Sequence, residues 1–198
     1  MRKTSEERKK EIWQAGKEVF LEKGYDKATM EDIISRTSLS KGGLYHYYRR
    51  PKDILFDIMR YHNEAYLEID INQKILQEET CPHKQLDKLL DAIIDKMCRP
   101  TPERKLFAIF MSLIPFDPEV EAEYKQLQQS FLKGLCHRLA IENKGDKHQQ
   151  LLFMSRWING VTFFQNILPE PDRLMRNKDS LRKMMKEELM LLMQKEEV

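Results

Sequence analysis

"SLSKGGLYHYYRR", residues Ser38 to Arg50, is the stretch whose reading decides the fold. Two adjacent glycines, Gly42 and Gly43, stand where the surrounding pattern reads helical. Glycine inside a helix costs about 1 kcal/mol relative to alanine. Four rings follow within five positions, Tyr45, His46, Tyr47 and Tyr48, and Arg49 and Arg50 close the run. A weak helix beside so much aromatic and cationic surface needs a core or a partner to hold it.

Upstream, Thr29 is placed to cap a short helix with Asp32 reciprocating, and apolar Met30, Ile33 and Ile34 carry it to about Thr37. Ser38 and Leu39 make a turn, and Ser40 caps the next helix through about Tyr47. Two short helices joined this tightly have the size of a helix-turn-helix, whose second helix enters the major groove with its N-terminal residues toward base edges. The glycines then have a role. In the first helical turn they let the backbone approach DNA, and the free amides of that turn attract phosphate. The expected DNA-contacting residues are Thr29, Arg36, Ser40, Lys41, Gly42, Gly43, Tyr45, His46, Tyr47, Arg49, Arg50 and Lys52. Leu39, Leu44 and Tyr48 are spaced to pack inward. Residue chemistry leaves another reading open: an ordinary glycine-weakened helix with its aromatics in a core and its arginines solvated.

The charge distribution favours the first reading. Residues 1–60 hold 14 Lys/Arg against 10 Asp/Glu, whereas the rest of the chain holds 20 against 22. The basic excess lies at the end that carries the glycines, which points to a polyanion partner. With 198 residues, 41% apolar and 33% charged, the chain is long enough for a sizeable core. No apolar run approaches the roughly 20 residues of a membrane helix, so no membrane partner is expected. The N-terminal "MRKTSEERKK" has no apolar stretch behind its charges and reads as no secretory signal. Cys81, Cys98 and Cys136 are far apart and form no C-x-x-C, which suits idle thiols in a reducing cytoplasm. The histidines show no metal-ligand spacing, so neither metal nor cofactor is expected. No G-x-S-x-G, Walker loop or G-x-G-x-x-G is present, which leaves an enzyme only as a site assembled from distant residues.

Elsewhere the chain reads as helix almost throughout. A first helix opens at Thr4 with Glu7 in capping-box position, carries Ile12, Ala15, Gly16, Val19 and Phe20 on one face, and stops at Gly24. Pro51 suits the first position of a fourth helix that extends to about Leu76. Apolar stripes predict five more: a fifth on residues 86–97, a sixth opening at Thr101–Pro102, a seventh at Asp117–Pro118, an eighth over 147–168 and a last one on 181–193. The expected fold is all-α with about nine helices. Residues 1–50 would form a three-helix DNA head, and 51–198 a ligand-binding and dimerisation domain. Aromatic and Met-rich helices in the second part suggest a pocket taking an apolar or amphipathic molecule. Its expected lining is Tyr61, His62, Ala65, Tyr66, Phe107, Phe110, Met111, Trp157, Phe164 and Gln165, with core packing as the plain alternative for each. The stripe on the last helix suggests a subunit contact through Trp157, Val161, Leu181, Met184, Met185, Leu189 and Leu192.

The segment "KATMEDIISRTSLSKGGLYHYYRRPKDIL" resembles the helix-turn-helix of TetR/AcrR-type transcriptional regulators. The resemblance is carried by Phe20, Gly24, Tyr25, Thr29, Ile33, Ser40, Lys41, Gly42, Leu44, Tyr45, Tyr47 and Tyr48, and covers about residues 8–58. Ile34, Thr37, Ser38, Gly43 and Pro51 depart from the usual pattern. Pro51 stands where a phosphate-contacting lysine is frequent, with Arg49, Arg50 and Lys52 as neighbours. The resemblance implies a cytoplasmic regulator that binds double-stranded DNA at a palindromic operator as a homodimer. It also implies a small-molecule effector bound by the C-terminal domain, most simply to release a repressor. An architectural DNA binder without an effector is the competing reading, and it leaves the apolar C-terminal half without a role.

Overall fold

The computed structural model describes residues 3–69, 82–139, 145–168 and 172–193, with the backbone only at 65–69, 82–85, 96, 137–139, 172–173 and 193. Among the described residues the chain is helical and has no strand. The helices are α1 (Ser5–Lys23), α2 (Met30–Ile34), α3 (Lys41–Tyr47), α4 (Pro51–Ile69), α5 (Pro82–Cys98), α6 (Pro102–Leu113), α7 (Pro118–Leu139), α8 (Gly145–Ile167), α9 (Asp172–Arg176) and α10 (Lys178–Met193). There are ten rather than about nine. The extra one is the short α9, cut from α10 at Asn177, whose amide turns back to the Leu174 carbonyl at 3.1 Å. The stretch 70–76, into which the fourth helix was expected to run, lies outside the described residues, as do Cys81 and the side chains of Ala65, Tyr66, His83 and His137.

Local chemistry sets the helix ends. Thr4 and Glu7 form a reciprocal capping box at α1, with the Thr4 amide donating to Glu7 Oε2 at 2.6 Å. Gly24 ends α1 at φ 77°, a left-handed backbone that glycine adopts without a Cβ penalty. Thr29 and Asp32 form the same box at α2. That helix is shorter than its pattern suggests. The Ser35 hydroxyl donates to the Asp32 carbonyl at 2.7 Å and the Thr37 hydroxyl to the Ile34 carbonyl at 3.0 Å. These side-chain bonds compete with the helical ladder, and the chain tightens into i to i+3 turns instead.

Two apolar cores organise the molecule. The first joins α1, α2 and α3 to the N-terminal half of α4 and to α6 and α7, through Phe20, Ile33, Leu44, Ile54, Ile58, Leu106, Phe110 and Val120. The second lies among α5, α7, α8 and α10, around Leu90, Ile94, Leu132, Leu151, Met185 and Leu189. The first core runs across the division expected at residues 50 and 51. The head therefore shares its interior with the helices behind it. Gly16 sets the closest approach of α1 to α4: a Cβ there would stand 2.8 Å from Ile54 Cγ2.

Ion pairs fasten the same elements from outside. Lys52 meets Asp117 at 2.6 Å and Glu119 at 3.1 Å, and Arg60 meets the buried Glu123 at 2.5 Å, tying α4 to α7. Lys17 of α1 meets Glu103 of α6 at 2.9 Å. Inside the head, Trp13 Nε1–H donates to Tyr48 Oη at 2.8 Å, and the Tyr48 hydroxyl donates to Asp57 Oδ2 at 2.6 Å. Burial, then the bond to Asp57, holds the Tyr48 phenol well above its ordinary pKa, so it remains a donor.

Candidate nucleic-acid interface

The second short helix presents an exposed face. Ser40 caps α3 by accepting from the Gly43 amide at 3.2 Å, while Leu44 is fully buried and anchors the helix to the first core. Lys41, Gly42, Tyr45 and His46 are exposed. A Cβ at Gly42 would meet nothing within 4 Å, so the backbone there is open to a close partner. Gly43 differs. Its Cβ direction runs into Leu39 Cδ2 and Ser40 Oγ, both at 3.3 Å, so a side chain at this position would crowd the cap. Tyr47 is half-buried, packed on the first core and edge-on to His46 at 5.4 Å.

The turn before α3 is held by a residue that the sequence reading missed. Glu11 of α1 accepts from the Ser38 amide at 2.6 Å, and Arg8 donates to the Ser38 hydroxyl at 2.8 Å. Burial works to raise the Glu11 pKa, but the bonds from Lys3 and Ser38 outweigh it and bring the carboxyl down to about 2. Ser38, where a turn glycine is common, is thus fixed by a charge-assisted bond to the preceding helix.

The cations around this face are less available than their sequence positions suggest. Lys41 pairs with Glu31 at 3.1 Å and lies 5.8 Å from the Tyr45 ring centroid. Arg36 pairs with Glu22 and Glu18. Arg50 is bound by Asp53 at 2.7 Å and Glu119 at 3.0 Å, which raise its pKa. Burial disfavours the Lys52 charge, yet Asp117 and Glu119 hold its ammonium above the ordinary value. Lys52 is therefore a link between α4 and α7 and stands aside from the expected cationic edge. Arg49 is exposed and forms no ion pair among the described residues. The Thr29 hydroxyl is engaged in its cap, donating to Asp32 Oδ2 at 2.8 Å.

Residues 12–58 match the family described as bacterial regulatory proteins, tetR family. That match places a tetR-type helix-turn-helix segment at the N-terminal end of the chain. It is 23% identical over 170 residues to YezE of Bacillus subtilis strain 168, described as an uncharacterized HTH-type transcriptional regulator, across 79% of this chain and 85% of that one. Its fold is similar to Salmonella enterica GusR at a TM-score of 0.72 and 18% identity, covering 95% and 98% of the two chains. A TetR transcription regulator from Haloarcula marismortui ATCC 43049 gives 0.71 at 19% identity, covering 96% and 100%. The matched segment is the DNA-binding part of regulatory proteins, and both curated relatives are described as HTH-type transcriptional regulators.

Behind the head, a partly open cavity of about 270 Å³ lies among α4, α5, α6, α7 and α8. Of the expected pocket residues, His62 and Phe107 line it. Burial lowers the His62 pKa, with Glu103 opposing and Lys17 adding to the shift. Phe110 is instead fully buried in the first core, edge-on to Phe56 at 6.2 Å. Tyr61 lies outside on Trp13, with ring centroids 5.0 Å apart. Trp157 packs against the second core, Phe164 is exposed, and Met111 and Gln165 are half-buried away from the wall. The wall missed by sequence is polar: Tyr124 and Gln128 on α7, and Ser155, Asn159 and Thr162 on α8. Their spacings of four and three residues, interrupting apolar stripes, were the available signal.

The expected subunit contacts also redistribute. Met185, Leu189 and Leu192 are each buried within this chain's own second core, and Trp157, Val161 and Leu181 pack partly against it. Met184 is exposed. On α8 and the residue just after it a separate outward stripe appears, Phe153, Phe164, Ile167 and Leu168, each at least half exposed, with Leu191 of α10 similarly uncovered. No described helix is long and apolar enough to cross a membrane.

Proposed function

We propose that the chain is a cytoplasmic homodimeric repressor that occupies a palindromic operator and is released by a small apolar or amphipathic effector. In this reading residues 1–50 read DNA, and 51–198 bind the effector and the second subunit. The observation that carries it is α3, a capped helix anchored by Leu44, with Lys41, Gly42, Tyr45 and His46 turned outward. One such helix spans few base pairs. Two heads about 34–36 Å apart would read successive major grooves. The exposed α8 stripe supports pairing, since an apolar row of this kind is costly to leave in water.

The cavity supports the effector. Met59, His62 and Asn63 of α4 line it, and α4 begins four residues after α3 ends. A ligand that favours one setting of α4 would shift the spacing of the heads by as much as it discriminates between the two settings. Glu103, also on the wall, reaches α1 through Lys17. Selection of bound sequences from a random DNA pool, followed by gel shift and sedimentation, tests the reading. A palindromic motif bound by a dimer near twice 23.7 kDa is expected. Lys41→Ala and Tyr45→Ala should weaken binding with the helical circular-dichroism signal unchanged. Uniform binding to all sequences would overturn the operator reading in favour of an architectural role.

A further inference from the structure

We infer that the cavity is built for a small uncharged ligand that places an amide, carbonyl or hydroxyl group against Gln128 and Ser155 and an apolar body against Phe107 and Ile158. The inference rests on the effector reading and specifies its chemistry. Gln128 and Ser155 are 7% and 5% exposed, so their polar atoms depend on partners inside the protein. The partners they have are distant. Gln128 Nε2 stands 3.4 Å from Tyr124 Oη and 3.4 Å from Ser155 Oγ, and Asn159 Nδ2 stands 3.3 Å from the same tyrosine oxygen. Good bonds of this type fall near 2.9–3.0 Å. Three contacts at the outer limit in one cluster form a set of groups that a ligand would complete. Buried amides and hydroxyls normally obtain full partners. Each of these side chains both donates and accepts, so the cluster suits a neutral polar group of either kind.

The charges at the wall are already matched. Glu103 is held by Lys17 at 2.9 Å. Arg104 donates to the carbonyls of Asp95 and Arg99 and lies 4.0 Å from the Asp95 carboxylate. His62 is kept toward its neutral form by burial. A carboxylate or ammonium drawn into the Gln128 cluster would lose hydration and gain no opposite charge, which disfavours both. Phe107, Ile93 and Ile158 also line the cavity and offer apolar surface against which a ring packs.

The test is a fragment screen on the full-length protein, using size-matched neutral, anionic and cationic compounds. 4-Hydroxybenzamide, 4-hydroxybenzoate, 4-hydroxybenzylamine and octanoate serve as reference probes, read by saturation-transfer NMR. Neutral hydrogen-bonding compounds should dominate the hits. Gln128→Leu should weaken them about tenfold, as loss of a buried hydrogen bond does. Ser155→Ala, a smaller change, should weaken the same compounds, and melting curves verify that both variants fold. Dominance by charged compounds, octanoate included, overturns the proposal. So do hits that both variants retain, or a screen with no hits. Operator binding measured on the same samples separates the two readings. If it survives while the screen fails, the regulator stands and the ligand assignment falls. If the neutral hits bind without changing operator affinity, the site is real and the effector reading falls.

Discussion

Gly42 and Gly16 are both helical glycines, and replacing each with alanine should have opposite consequences. At Gly42, in the first turn of α3, the new methyl would meet no atom within 4 Å. The fold should therefore gain from the lost glycine entropy, by about 0.5 kcal/mol near a helix end, where the propensity difference is below its interior value. For a chain of this length that is about 1–2 °C in melting temperature. On DNA the sign reverses. The methyl occupies the surface where the backbone would approach the duplex, and a spoiled contact of about 1–2 kcal/mol per head lowers affinity about tenfold or more. With both heads of a dimer affected, the loss multiplies to about a hundredfold. At Gly16 the methyl would stand 2.8 Å from Ile54 Cγ2, a branch methyl on a fully buried side chain that cannot swing away. Overpacking of about 1–3 kcal/mol exceeds or cancels the roughly 1 kcal/mol helix gain. Gly16→Ala should therefore lower the melting temperature by up to several degrees, while operator affinity of the folded protein is little changed. Differential scanning calorimetry and fluorescence anisotropy on a selected operator measure both quantities. Operator binding by Gly42→Ala as tight as wild type would refute the assignment of α3 as the helix that approaches DNA.

Acid should loosen the turn before α3. The Glu11 carboxyl is depressed to about 2, so its contribution is complete above the ordinary value of 4.5 and is lost as pH falls through about 2; the Ser38 amide resonance should report this, and Glu11→Gln should abolish the titration. A Ser38 shift that persists in Glu11→Gln would assign it to another group. Lys17→Met removes the bridge between α1 and the cavity wall, so an effector hit should release operator less well, with coupling reduced by up to about 1 kcal/mol; an unchanged ratio of affinities with and without the hit would exclude this path. Phe153→Ser with Phe164→Ser, both on the exposed stripe of α8, should move sedimentation toward 23.7 kDa with the melting temperature of the monomer fold little affected. A dimer that survives both changes would place the subunit contact elsewhere.

Much of the head was legible from residue order. Capping boxes at Thr4 and Thr29, the Ser40 cap, the stop at Gly24 and the start at Pro51 depend on residues within a few positions of one another, and each appears where the local pattern put it. The stripe of Ile12, Ala15, Gly16, Val19 and Phe20 is buried as its spacing required, because a helix face is a property of sequence period. Partner choice was beyond the same reasoning. Lys52 read as a phosphate contact, but Asp117 and Glu119, more than sixty positions away, bind it in the folded chain. Phe110 read as pocket lining and Met185, Leu189 and Leu192 as subunit contacts, yet each is buried in an interior of its own chain. Periodicity says that a face is apolar. Whether that face meets a core, a cavity or another subunit depends on which helices pack against it. The polar wall formed by Gln128 and Ser155 arises because α7 and α8 bring together side chains 27 residues apart, at a distance set by the packing of both cores. Local hydrogen bonds and spacing determined the helices and the reading head; the cavity, the paired cations and the exposed α8 stripe were decided by long-range packing, which no short window of sequence contains.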